Sequence, residues 1–169
     1  MRLAARLSRG ETLGDRIIKV DHAGEHGAVC IYSAQRWFAT WRAPDMLDEI
    51  EEFIAHERGH RARSRRSYGL CGLGGLALGA ATGLAGRQAI AATTVAIERV
   101  VLRHMHEQID ALEAADPRAT DVLRQIVVEE QEHHDLSKIR LAPDNLWSKL
   151  LDPIVSASTE VVIWLGMRL

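Results

Sequence analysis

Apolar positions recur along this chain at helical spacing, in stretches separated by proline, glycine and charged breaks. The first stretch predicts a helix from about Leu13 to Trp41, stopping before Ala43-Pro44 because the residue preceding a proline is pushed out of the helical region. Asp45 can cap a second helix, whose apolar positions are Leu47, Ile50 and Ile54. A third starts near Arg87, with Ala91, Val95, Leu102, Met105, Ile109 and Leu112 on one face. Asp116-Pro117 supplies an N-cap and a first-turn proline for the fourth, whose stripe is Leu123, Ile126, Val127 and Leu141. Asp152-Pro153 repeats that start signal before a last amphipathic helix reaching Leu169, giving four long helices and a short C-terminal pair. The pattern predicts an all-α bundle.

Composition agrees. The 169 residues, 47% hydrophobic and 26% charged, make one globular domain spanning 1–169 that needs no disulfide to fold. With 21 basic against 23 acidic side chains, no nucleic-acid surface is expected. Cys30 and Cys71 alone cannot build a cysteine-rich metal site. Met1 to Gly10 carries three arginines and no acid but lacks the apolar core of a secretory signal; a short organellar presequence remains open.

The stretch from Ser67 to Gly86 breaks the pattern, with 20 residues, no charge and seven glycines. A membrane span needs about 20 apolar residues, so length permits one, yet glycine, Ser67, Tyr68 and Thr82 dilute the hydrophobicity. Arg58, Arg61, Arg63, Arg65 and Arg66 just before it suit anionic headgroups. The reading preferred is a segment lying in the membrane interface, at 67–86, with the C-terminal 153–169 joining the same surface. The alternatives are a crossing segment and a glycine-rich helix packed within the bundle.

Candidate chemistry lies in the polar residues that interrupt the apolar stripes. Leu47, Ile50 and Ile54 continue into Glu57 and His60; Leu123, Ile126 and Val127 continue into Glu130 and His133. Glu98 sits between Val95 and Leu102, and Glu25 among Ile18, Ala28, Val29 and Tyr32. Four inward carboxylates cost several kcal/mol each unless a cation meets them. The spacing sharpens the case: Glu25, Glu57 and His60 recur as Glu98, Glu130 and His133 at a constant offset of 73 residues. Residues three apart share a helix face, so each Glu-x-x-His offers an oxygen and a nitrogen to one ion. Two helices giving one glutamate and two giving Glu-x-x-His is the ligand arrangement of ferritin-like di-iron or di-manganese carboxylate bundles. Four carboxylates neutralise two divalent cations, and mixed carboxylate and imidazole ligation suits iron or manganese. His134 is an alternative to His133, and His134 and Asp135 can bond to ligands from outside or form a polar flank. His22, His26 and His56 carry the same two readings.

At these residues the chain resembles the demethoxyubiquinone hydroxylases of ubiquinone biosynthesis, the Coq7 family. DRIIKVDHAGEHGAVCIY at Asp15–Tyr32 is similar to the family's opening motif, TVAIERV at Thr94–Val100 and EEQEHHD at Glu129–Asp135 to two others, and LALGAATGLAG and IWLGMRL match as well. The resemblance implies iron ligation by Glu25, Glu57, His60, Glu98, Glu130 and His133. It also implies hydroxylation of the ring of a demethoxyubiquinol-type polyprenyl quinone with O2, and NADH as reductant. A peripheral site on the cytoplasmic face of a bacterial inner membrane, or the matrix face of the mitochondrial one, would follow, with a homo-oligomer and a lipid-presenting partner as further expectations. Two departures stand out. His26 replaces a common Tyr, and the family's His-Tyr pair, associated with electron transfer, reads His104-Met105 here. A ferroxidase, a peroxide-reducing protein or a manganese catalase on the same bundle would share the ligands. A non-enzymatic membrane interaction module would instead neutralise its internal glutamates with basic partners such as Arg99 and Arg103.

Overall fold

The computed structural model describes residues 5–59 and 67–168. Its helices are α1 (Leu13–Arg42), α2 (Leu47–Gly59), α3 (Ser67–Ala85), α4 (Arg87–Leu112), α5 (Pro117–Ile139) and α6 (Leu146–Gly166), with a 3-10 turn at Pro44–Met46. There is no strand among the described residues. The hairpins α1–α2 and α4–α5 form a ferritin-like four-helix bundle; α3 packs along α1 and α6 along α4.

Local chemistry explains the boundaries. Thr12 and Asp15 close a capping box at the start of α1, each side chain accepting the other's backbone N–H at 3.0 Å. Asp116 caps α5 by accepting the Ala119 N–H at 3.1 Å, with Pro117 in the first turn. Two expected start signals act differently. Asp45 lies in the 3-10 turn, where Arg87 holds its carboxylate at 2.6 Å. The Asp152-Pro153 pair does not open a helix: α6 starts seven residues earlier, where Asn145 accepts the Trp147 N–H at 2.8 Å, and it runs through Pro153. Asp152 is taken by Arg99 and is not available as a cap, and Pro153 faces outward. The C-terminal pair is therefore a single helix.

The glycine-rich segment is a helix, and its glycines are a packing face. A Cβ on Gly75 would collide with the Gly27 carbonyl, one on Gly79 with the Ile31 carbonyl, and one on Gly83 would stand 3.0 Å from the Gln35 Cα. Contacts advance together along both helices, so α3 runs parallel to α1 at a separation only glycine permits. Gln35 Nε2, fully buried, donates to Thr82 Oγ1 at 2.9 Å across the seam. The opposite face of α3 leaves Leu70, Leu73, Leu76 and Leu84 exposed. No helix among the described residues is long and apolar enough to cross a membrane. Of the preceding arginines, Arg61, Arg63, Arg65 and Arg66 lie outside the described residues.

This seam makes a contrast testable. Gly79→Val should destabilise the fold by about 1–3 kcal/mol, the usual cost of overpacking. Gly74→Ala, where a Cβ meets nothing within 4 Å, should be neutral or stabilise by up to about 1 kcal/mol through helix propensity. Urea unfolding of the two variants checks this; equal effects would refute the close packing.

Candidate metal centre

The polar residues interrupting the stripes converge at the centre of the bundle. Glu57 on α2, Glu98 on α4, and Glu130 and His133 on α5 each offer a ligand atom, all within 4.8 Å of one another. All four are buried. Glu25 on α1 is buried beside them and close enough to Glu57 and Glu130 to feel their charges. His60 lies outside the described residues.

Electrostatics here are those of like charges confined without water. Desolvation first, then Glu130 and its neighbours, push the Glu57 carboxyl well above the usual range. Glu98 is raised in the same way and shares a hydrogen bond with Glu130. Glu25 is raised to about 9 by burial, then by Asp21 and Glu130, and Asp21 to about 7 by burial and Glu130. Oε2 of Glu57 is buried with no hydrogen-bond partner among the described residues. Each such group would pay a large desolvation cost as an anion. Arg99 and Arg103, the basic candidates on α4, turn away and pair with Asp152 and Glu160 of α6. A cluster of acidic oxygens plus an imidazole, with one oxygen orphaned and no cationic side chain turned toward it from α4, fits a divalent cation.

Tyr32, Asp21 and Phe53 support the cluster in roles the sequence reading missed, while His56 takes the ligand-bonding one of its two readings. Tyr32, wholly buried, donates its hydroxyl to Glu98 Oε1 at 2.8 Å. It stands seven residues after Glu25, on the same helix face, and that spacing was the available signal. Asp21, one turn before Glu25, hydrogen-bonds to it. Phe53 packs on the His133 ring at 4.2 Å between centroids. His56 Nδ1 lies 3.1 Å from His133 Nε2, with the rings stacked, leaving His133 Nδ1 3.4 Å from Glu130 Oε2. His134 and Asp135, in contrast, bond to each other at 2.8 Å near the surface. His104 lies farther along α4, against Glu160.

The carboxylates form the floor of a cavity of about 270 Å³ bounded by α1, α3, α4 and α6. Its walls are mainly apolar, including Ala28, Ile31, Ile97 and Val155. Leu70 of α3 and Ile154 and Val162 of α6 stand at its edge and are exposed.

The chain as a whole is similar to known proteins. The model of the ubiquinone biosynthesis protein COQ7 family matches residues 12–166. The human NADPH-dependent 3-demethoxyubiquinone 3-hydroxylase, mitochondrial, is 35% identical, covering 92% of this chain and 77% of its own. The 3-demethoxyubiquinol 3-hydroxylase of Rhodospirillum rubrum is 33% identical, with 91% and 77% covered.

The raised carboxyls set a pH dependence. An acid with a raised folded pKa keeps its proton after the unfolded chain has lost it, so stability falls as pH rises between the two values. That window runs from 4.5 to about 9 for Glu25 and from 3.8 to about 7 for Asp21. Chelator-treated protein should lose stability across it, and Mn²⁺ should flatten the slope. A urea midpoint that holds or rises with pH in the chelated protein would contradict the assignment.

Proposed function

The chain belongs to the COQ7 family of ubiquinone biosynthesis proteins, and from that footing we propose that it hydroxylates the ring of a demethoxyubiquinol-type polyprenyl quinone with O2. The observation that carries this reading is the placement of an acidic, imidazole-bearing cluster as the floor of an apolar cavity edged by exposed apolar side chains. A ferroxidase needs the cluster but has no use for an apolar chamber above it.

In this reading Glu25, Glu57, His60, Glu98, Glu130 and His133 hold two iron ions, whose place manganese could take. The iron pair, when bound, supplies the two-electron activation of O2 that a closed-shell ring cannot achieve unaided. The reaction balances as one ring C–H, O2, two electrons and two protons giving one ring C–OH and water. The electrons come from a reduced nicotinamide nucleotide, NADH in the expectation above; the human relative's name specifies NADPH. Met105, buried on α4, has no hydroxyl with which to serve a tyrosine relay.

The chain's own residues prepare the site. Tyr32 holds Glu98 by its hydroxyl, and Phe53 and His56 fix the plane of His133, so the ligand atoms are pre-set by packing. The walls at Ile31, Ile97 and Val155 exclude water from the ring. The Asp21 carboxyl, one turn before Glu25 and bonded to it, lines the cavity and holds that ligand in place.

A polyprenyl substrate lives in lipid, so the edge of the cavity must meet a membrane. Leu70, Leu73 and Leu76 on α3 and Ile154, Val161, Val162 and Trp164 on α6 supply an exposed apolar surface around it. The protein then sits peripherally on the membrane that holds its quinone, at the cytoplasmic face in a bacterium. A homo-oligomer or a lipid-presenting partner would cover part of the same surface.

Two measurements test this. Purified protein given iron, a nicotinamide reductant and a short-tailed demethoxyquinol should yield product about 18 mass units heavier under ¹⁸O2, against about 16 under ordinary O2; release of hydrogen peroxide with unaltered quinol would refute it. Leu73→Asp with Leu76→Asp should weaken sedimentation with anionic liposomes at least about tenfold, given the cost of placing charge in the apolar interface; unchanged binding would remove α3 from the membrane surface.

A further inference from the structure

Beyond Glu98, α4 carries two more polar side chains into the wall of the same cavity. His104 and Gln108 both line it and are more than nine-tenths buried. Each has one buried atom without a hydrogen-bond partner among the described residues, Nδ1 of His104 and Oε1 of Gln108. Folding leaves both unmet, which is the usual mark of a place where a ligand completes the bonding.

What His104 can offer is decided by α6. Its Nε2 lies 2.8 Å from Glu160 Oε2, and Arg103 engages the other oxygen of the same carboxylate. A carboxylate held by a guanidinium is ionised and can only accept, so Nε2 must carry the hydrogen and donate it. Burial, then the Arg103 charge, holds the His104 imidazole below its usual pKa, and at neutral pH its single proton is committed to Glu160. That leaves Nδ1 as a lone pair. The free atom of Gln108 is also an acceptor. The two residues are one helical turn apart, so they share one face of α4 and both line the cavity.

Two free acceptors on one cavity-lining face fit a ligand that brings two donors. A hydroquinone has two ring hydroxyls to give; a quinone has carbonyls, which would face lone pair with lone pair. We infer that His104 and Gln108 select the reduced, dihydroxy form of the ring by accepting its hydroxyl hydrogens, with Glu160 as the positioning residue that fixes the His104 tautomer. The inference rests on the proposed function, because it takes the quinone ring as the cavity's occupant. It goes further in naming the residues that read the reduced form already proposed, and the bonds by which they do so.

The test compares a ligand that carries those hydrogens with one in which methyl groups replace them. Under nitrogen, the ferrous protein is titrated with a short-tailed demethoxyquinol and with its 1,4-dimethyl ether, following tryptophan fluorescence. The quinol should bind at least about tenfold tighter, the change expected from losing one well-made buried hydrogen bond. His104→Phe and Gln108→Met should each bring the ratio down severalfold with ether affinity little changed, so that a folding failure in one leaves the other to decide. Glu160→Gln, which releases the tautomer, should lower the ratio, and Glu160→Asp should restore most of it. Equal affinity for quinol and ether in the unaltered protein, or a ratio surviving both α4 substitutions, overturns the inference. If the protein still hydroxylates the quinol in that case, the proposed function stands without it. Failure of both ligands to bind overturns the two together.

Discussion

Everything in this bundle is arranged around the mutual repulsion of buried carboxylates. Glu57, Glu98 and Glu130, with Glu25 alongside, share one buried interior, and the charge of Glu130 raises the proton affinity of the other three. Such a core would be a liability for a purely structural bundle, in which well-packed leucines would serve better. It becomes an asset only when a doubly charged ion replaces the protons. The supporting contacts follow from that requirement: Tyr32 on Glu98, Phe53 and His56 against His133, and the diversion of Arg99 and Arg103 to α6. A guanidinium inside would neutralise the cluster and close it to metal.

The second constraint is access. A bundle sealed on all sides would hold a metal but not a ring. Here α3 and α6, added outside the two hairpins, lie on α1 and α4 and leave the cavity between them, with the carboxylates at its floor. Glycine brings α3 so close to α1 that its other face is left for leucines pointing outward. The same helix thus walls the chamber and supplies part of its apolar edge; the packing reading of that segment describes its glycine face, and the proposed membrane surface is the other.

Much of this was legible in the chain, and the misses have physical causes. The 73-residue repeat and the interrupted stripes selected Glu57, Glu98, Glu130 and His133, which the fold brings together, because a charged residue in an apolar stripe is costly enough to be informative. The helix start at Asp116–Pro117 was readable from local capping chemistry, and the one near Leu13 from apolar spacing. Asp152-Pro153 misled because a cap works only if its side chain is free, and a partner 53 residues away had taken it. That competition is tertiary and leaves no local trace. Tyr32 was on the correct helix face, but its hydrogen bond to Glu98 on another helix depends on rotation and depth, which periodicity alone does not give. His104 and Gln108 share this property: their importance comes from what remains unbonded after folding.

The most direct test of the account is the metal content of the purified chain, measured before and after anaerobic reconstitution with ferrous iron. The account predicts about two iron ions per chain, the stoichiometry of a four-carboxylate, two-histidine bundle site. A folded protein that binds no metal under either condition would contradict it, because nothing else described in the structure compensates the carboxylates at its centre.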